Sequence, residues 1–197
     1  MAVRLADVRA HVADPNLLMA VIKGHLWVER ALNAALEIHA EQPSQIKLDR
    51  LPFATKLNIA TAYGFIKADL RPVLERLNQL RNRAAHSLDF EVSDGDARGL
   101  RALLPKDHLE GIAHLDKPHH TLADEFATTL TWVIMSLEAH NAVAEWDRRW
   151  GSVVALHQML VDVYVGLGQD PAEADRQARL AADPPPPPQH SDVVIVD

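Results

Sequence analysis

Between Leu122 and about Trp150, apolar side chains return at helical steps: Phe126, Leu130, Val133, Leu137 and Trp146. Such a stripe lies along one side of an α-helix. In front of it stands Thr121-x-x-Asp124, a capping box with Asp in place of the usual Glu or Gln. A helix this long has to bury its apolar side against other helices, so the rest of the chain is expected to supply a bundle. Gly151 is expected to kink or divide the helix, with Val153 to Leu167 continuing it. Asp170-Pro171, with Glu173, opens a last helix to about Ala181. Pro184 to Pro188 cannot extend a helix and favours polyproline II.

The upstream half repeats the pattern. Asp14-Pro15 reads as an N-cap and first helical residue, opening a helix to about Ala40 with Leu18, Ile22, Leu26, Leu32 and Leu36 at helical spacing. Residues 41–50 form a loop, and a second helix runs from Phe53 to Ile66. Asp69 is expected to cap a third helix, with Pro72 in its first turn and Val73, Leu77, Leu80 and Ala84 as its stripe. A turn at Ser93-Asp94-Gly95-Asp96 leads into a short helix to about Leu104. Residues 106–120, with Gly111 and Pro118, are expected to be irregular. Four to five long helices therefore make up an all-α domain over residues 1–182. A proline-rich tail, 183–197, is expected to be disordered, although Val193-Val194-Ile195-Val196 has the look of an unpaired strand.

Several classes are excluded by composition. No apolar run approaches the ~18 residues needed to span a bilayer, and no basic stretch followed by an apolar segment marks a signal peptide. The absence of cysteine rules out disulfides and thiolate metal sites. These points suggest a cytoplasmic protein with no membrane partner. The net charge of −7 argues against general electrostatic coating of nucleic acid, which requires neutralising many phosphates. A small local basic site is compatible with it.

One short motif carries chemistry: Arg81-Asn82-Arg83-Ala84-Ala85-His86, at the end of the third helix. An Arg followed five positions later by His is common by chance, and both residues suit a helix C-terminus through its macrodipole. The Asn sharpens the signal, because Asn82 and His86 are four apart and share a face, so the amide could orient the imidazole. Arg81 and His86 are about 140° apart around the axis and ~7.5 Å along it. One copy converges poorly on a phosphate, whereas two copies across a dimer converge well.

With its flanking residues Lys56-Leu57 and Gly64-Phe65-Ile66, the motif resembles the HEPN superfamily (higher eukaryote and prokaryote nucleotide-binding). It is most similar to the mannitol operon repressor-like branch. The resemblance implies a HEPN-like helical bundle and a metal-independent endoribonuclease formed at a homodimer interface, with no cofactor. In it His86 is the general acid or base at a ribose 2′-hydroxyl, Arg81 stabilises phosphate charge, and Asn82 positions either. Members of the repressor-like branch are regulators, so a non-catalytic protein working through protein contacts stays open beside the nuclease. A stress, defence or toxin–antitoxin setting, with an antitoxin or regulatory protein as partner, belongs to the first reading.

Other residues lend support. Lys67, Arg71, Arg76, Arg81 and Arg83 gather positive charge around one helix, and Arg76 and Arg83, seven apart, share a face that could contact RNA. His25, Glu29 and Asn33 recur every four residues on the first long helix, with His25 and Glu29 as candidate supports behind the Arg–His motif. Each group has a plainer reading, as a solvated basic face or a satisfied polar ridge. His108, His114, His119 and His120 match no metal-ligand spacing, so no metal is expected.

Overall fold

The computed structural model describes residues 3–87, 89–113 and 121–188. Among them every regular element is helical: α1 Leu5–Val12, α2 Leu17–His39, α3 Phe53–Ala62, α4 Arg71–His86, α5 Asp94–Arg101, α6 Lys106–Ala113, α7 Leu122–Gly166 and α8 Pro171–Ala181. Short 3-10 turns occupy Pro43–Gln45, Leu48–Arg50 and Ala68–Leu70. No helix among the described residues is long and apolar enough to cross a membrane.

The frame is α2 laid along the first half of α7, with α1 and α5 also against α7, and with α3 and α4 on α2. Val21, Val28 and Leu32 of α2 meet a core containing Phe126, Leu130, Ile134 and Leu137 of α7. The capping box at Thr121 is formed: the Asp124 N–H donates to Thr121 Oγ1 at 3.2 Å, and the Thr121 N–H donates to Asp124 Oδ2 at 3.1 Å.

With 45 residues, α7 is about 67 Å long at 1.5 Å per residue. It runs through Gly151 unbroken, against the expected kink or division. No side chain approaches that glycine, and a lone helical Gly costs only about 1 kcal/mol. The distal half of α7 leaves the bundle and pairs with α8, which folds back on it. His157 clamps the turnback, with Nδ1 bonded to the Ala182 carbonyl at 2.8 Å and Nε2 to Asp175 Oδ1 at 3.0 Å. Beyond α8, residues 182–188 have no helix or strand, and Pro184, Pro185 and Pro188 are half-buried. The rest of the expected tail, Val193–Val196 included, lies outside the described residues.

Four local expectations are corrected. Asn16, not Asp14, caps α2: its side chain accepts from the Leu18 and Met19 N–H groups, while Asp14 is taken up by the Asn16 N–H and by Lys23. Asp69 makes no cap hydrogen bond, because it lies within the 3-10 turn that leads into α4. Residues 106–113 are helical rather than irregular, since His108 and Ile112, one turn apart, are both buried. Finally, a helix outside those expected from the sequence, α1, forms ahead of Asp14, with Leu5, Val8 and Val12 as a buried face at helical spacing. The end of α3 depends on Gly64, whose φ of 71° ends the helix ahead of Ile66 and favours glycine. The Phe65 N–H then closes back on the Ala60 carbonyl at 2.8 Å.

Candidate functional site

Helix α4 presents two unlike faces. Val73, Leu74, Leu77 and Leu80 are buried, whereas Arg81, Asn82, Arg83 and His86 at its C-terminal end are exposed. Arg81 Nη1 donates to Asn82 Oδ1 at 3.3 Å. The Asn82 amide is thus directed to its neighbour rather than to His86. The His86 imidazole makes no side-chain hydrogen bond among the described residues and lies at the surface, where Ser87 leaves the helix in an extended conformation.

One turn earlier, the same helix is tied into a polar cluster. His25 on α2, 4% exposed, donates from Nε2 to Asn78 Oδ1 at 3.1 Å. Its ring is tilted over Phe53 with centroids 4.5 Å apart. Glu29, one turn along α2, has Oε2 4.0 Å from His25 Nδ1 and accepts from Lys56 Nζ at 2.7 Å through Oε1. Burial pushes the His25 imidazole below its ordinary range, and the charges of Arg81 and Lys56 push the same way. The Asn78 hydrogen bond and the Glu29 carboxylate work against them. His25 is therefore a neutral imidazole at neutral pH. Asn33, third in the same ridge, keeps a buried Oδ1 without a hydrogen-bond partner among the described residues.

Arg76 and Arg83 do share a face, and both reach one carboxylate. Asp96 Oδ1 lies 2.7 Å from Arg76 Nη2 and 3.1 Å from Arg83 Nη1, and Arg83 also covers the Phe90 ring at 4.4 Å. Asp96 is at the same time the closing residue of the capping box that begins α5 with Ser93. Burial raises its carboxyl, but the Ser93 hydrogen bonds and the Arg83 charge outweigh this and hold it below the usual carboxylate range. In this arrangement the two arginines fasten α5 to α4. Arg71 is likewise engaged, by Glu75 and Asn58.

The structure thus brings His25 to the turn before Arg81, ties Glu29 to Lys56 on α3, and leaves Arg81, Asn82 and His86 together at an open helix end. Lys56 and Asn78 were not singled out as site residues from the sequence. Lys56 sits among Phe53, Leu57 and Ala60 on the buried side of α3, and a lysine on an apolar face was its signal. Asn78 precedes Asn82 by four residues, which places both on one face. His108 is a partner of Trp132, whose Nε1–H donates to its Nδ1 at 3.0 Å. His114, His119 and His120 lie outside the described residues. Among the described residues, no three His, Asp or Glu side chains are grouped to hold a metal ion.

Set against known proteins, the chain matches no family model, no curated protein and no solved structure.

Proposed function

We propose that this chain is a HEPN-like homodimer of the cytoplasm that acts on RNA, as a metal-independent endoribonuclease of a stress, defence or toxin–antitoxin system. The observation that carries the reading is the state of the motif. Among the described residues His86 is exposed and makes no side-chain hydrogen bond, and the side-chain hydrogen bond of Arg81 goes to its neighbour Asn82. The preceding turn, by contrast, is anchored through Asn78 and His25. Reactive groups held out on a rigid helix end suit a substrate supplied from outside the bundle.

In this mechanism an unprotonated His86 removes the proton from a ribose 2′-hydroxyl, and the 2′-oxygen attacks the adjacent phosphorus. The bond to the 5′-oxygen breaks, leaving a 2′,3′-cyclic phosphate, and the imidazole, protonated in taking up the first proton, returns a proton to the departing oxygen. Arg81 donates to the phosphate oxygens as charge builds on them. An imidazole and a guanidinium converging on one phosphate are more than one helix end supplies, because the two side chains lie about 140° apart around the axis, which is why the reading requires a second copy. The test is purified protein with structured RNA in EDTA, compared with Arg81→Ala and His86→Ala. Cleavage by the wild type to cyclic-phosphate ends, lost in both variants, supports the reading; equal activity in all three overturns it.

A second reading, a non-catalytic regulator similar to the mannitol operon repressor branch, is favoured by the far arm. Leu156, Met159 and Val163 recur along one side of α7 and remain exposed, as do Leu167 just beyond its end and Leu180 of α8. Apolar side chains gathered on a projecting helical pair suit a protein partner. Recovery of one stoichiometric protein partner, with no RNA cleavage, would favour this reading over the first.

A further inference from the structure

Away from the α4 motif, α6, α7 and the link between α3 and α4 line a half-open cavity of about 330 Å³, within the range that ordinarily takes a small ligand. Its apolar wall includes Ile66, Leu70 and the Trp132 indole. The indole is fixed in place. Its N–H is held by His108, which is itself buried, and its six-membered ring rests against the Cα of Gly111 on α6. A Cβ at Gly111 would lie 2.2 Å from Trp132 Cη2, so only glycine admits the ring in this position. The wall is therefore preformed and has no need to collapse around a ligand.

Lys67 and His140 form part of the lining on another side. The Lys67 ammonium has no carboxylate within 4.0 Å among the described residues, although it stands near enough to act on His140. Burial lowers the His140 imidazole from its ordinary range, the charges of His39 and Lys67 lower it further, and the hydrogen bond to the Gly64 backbone works against them. No acidic group shares in that balance; Asp107, also in the lining, belongs to α6. A cation with no carboxylate partner among the described residues, beside a rigid apolar slot, is complementary to a molecule with an anionic head and a flat apolar body.

We propose that this cavity binds a small carboxylate with an aromatic or similarly flat apolar body. The carboxylate sits at Lys67, and the body lies against Trp132 and Leu70. The site is separate from the RNA-directed motif and does not depend on it.

Calorimetric titration of the full chain with 2-naphthoate and with its neutral analogue 2-naphthamide tests this. The expected result is one saturable site for naphthoate, with the amide at least tenfold weaker. Lys67→Met is expected to weaken naphthoate at least tenfold while leaving the amide unchanged; Lys67 is exposed, so the variant should fold. Val143→Glu, which adds a negative charge at a half-open lining position, should weaken naphthoate as well. The proposal is overturned if naphthoate shows no binding at millimolar concentration, if the amide binds equally well, or if neither substitution changes its affinity.

Discussion

Lys56 Nζ lies 2.7 Å from Glu29 Oε1, and 2% of the lysine side chain is exposed against 31% of the glutamate. The pair is lopsided: an ammonium inside the bundle leans on a carboxylate that still reaches solvent. Removing the carboxylate would leave the buried charge alone, which is far worse than removing both. Glu29→Ala should therefore cost about 3 kcal/mol in urea unfolding. The double substitution Glu29→Leu with Lys56→Met should recover most of that loss. Were the double variant as unstable as Glu29→Ala, the pair would not be the source of the effect.

The neighbouring histidine gives a pH dependence of definite sign. His25 and His140 both have folded pKa values below the ordinary 6.5, each chiefly through burial. The unfolded chain then binds more protons than the folded one over the interval between the two values. Their stabilisation is complete above about pH 6.5 and is lost progressively as the pH falls from there towards the lowered folded values. Each proton taken up preferentially by the unfolded chain contributes at most about 1.4 kcal/mol per pH unit. Melting temperatures taken from pH 8 to pH 5 should be flat at first and then fall. His140→Gln should flatten the descent, and an unchanged profile in that variant would remove His140 from the account.

Asp96 offers a test of how the basic face is used. The depressed pKa of its carboxyl means that the stability it supplies is present above the unfolded value of 3.8 and is lost as the pH falls through the folded value. Asp96→Asn leaves the Ser93 cap weakened and both arginines without their anion. A loss of about 2 kcal/mol is expected, discounted because Arg76 and Arg83 are partly solvated. The freed guanidiniums should also strengthen non-specific RNA binding and steepen its salt dependence. Filter binding at two salt concentrations would show this, and no gain would mean the pair do not face a nucleic-acid surface.

The helical class was readable because its signals are local. Thr121 and Asp124 lie within one turn of each other and cap their helix whatever packs above; Ser93 and Asp96 do the same, although in sequence they read as a turn. Asp14-Pro15 misled because Asn16, two residues on, offers an equally short acceptor, and Lys23 draws Asp14 away. Residues 106–113 looked irregular because Gly111 reads as a breaker; its purpose is tertiary, a seat for an indole 21 positions further along the chain. The same limit applies to the site. Arg81, Asn82 and His86 are neighbours in sequence and could be picked out, and so could the ridge of His25 and Glu29. That Asn78 ties His25 to α4 and Lys56 ties Glu29 to α3 depends on how α2, α3 and α4 cross, which no spacing within one helix records.

If the endoribonuclease reading holds, the placing of Arg81 and His86 on one helix has a consequence for mixed dimers. The two side chains are about 140° apart around the axis, so Arg81 of one copy is better disposed to meet His86 of the other than its own. Arg81→Ala and His86→Ala proteins should each be inactive alone. Mixed in equal amounts and allowed to exchange, half the dimers would be hybrids, each with one complete composite site, so about a quarter of wild-type cleavage should return. A site built within a single copy predicts no recovery at all, because every copy in the mixture lacks one of the two groups. Recovery should also require exchange, so a covalently fixed mixture of the two parental homodimers should stay silent.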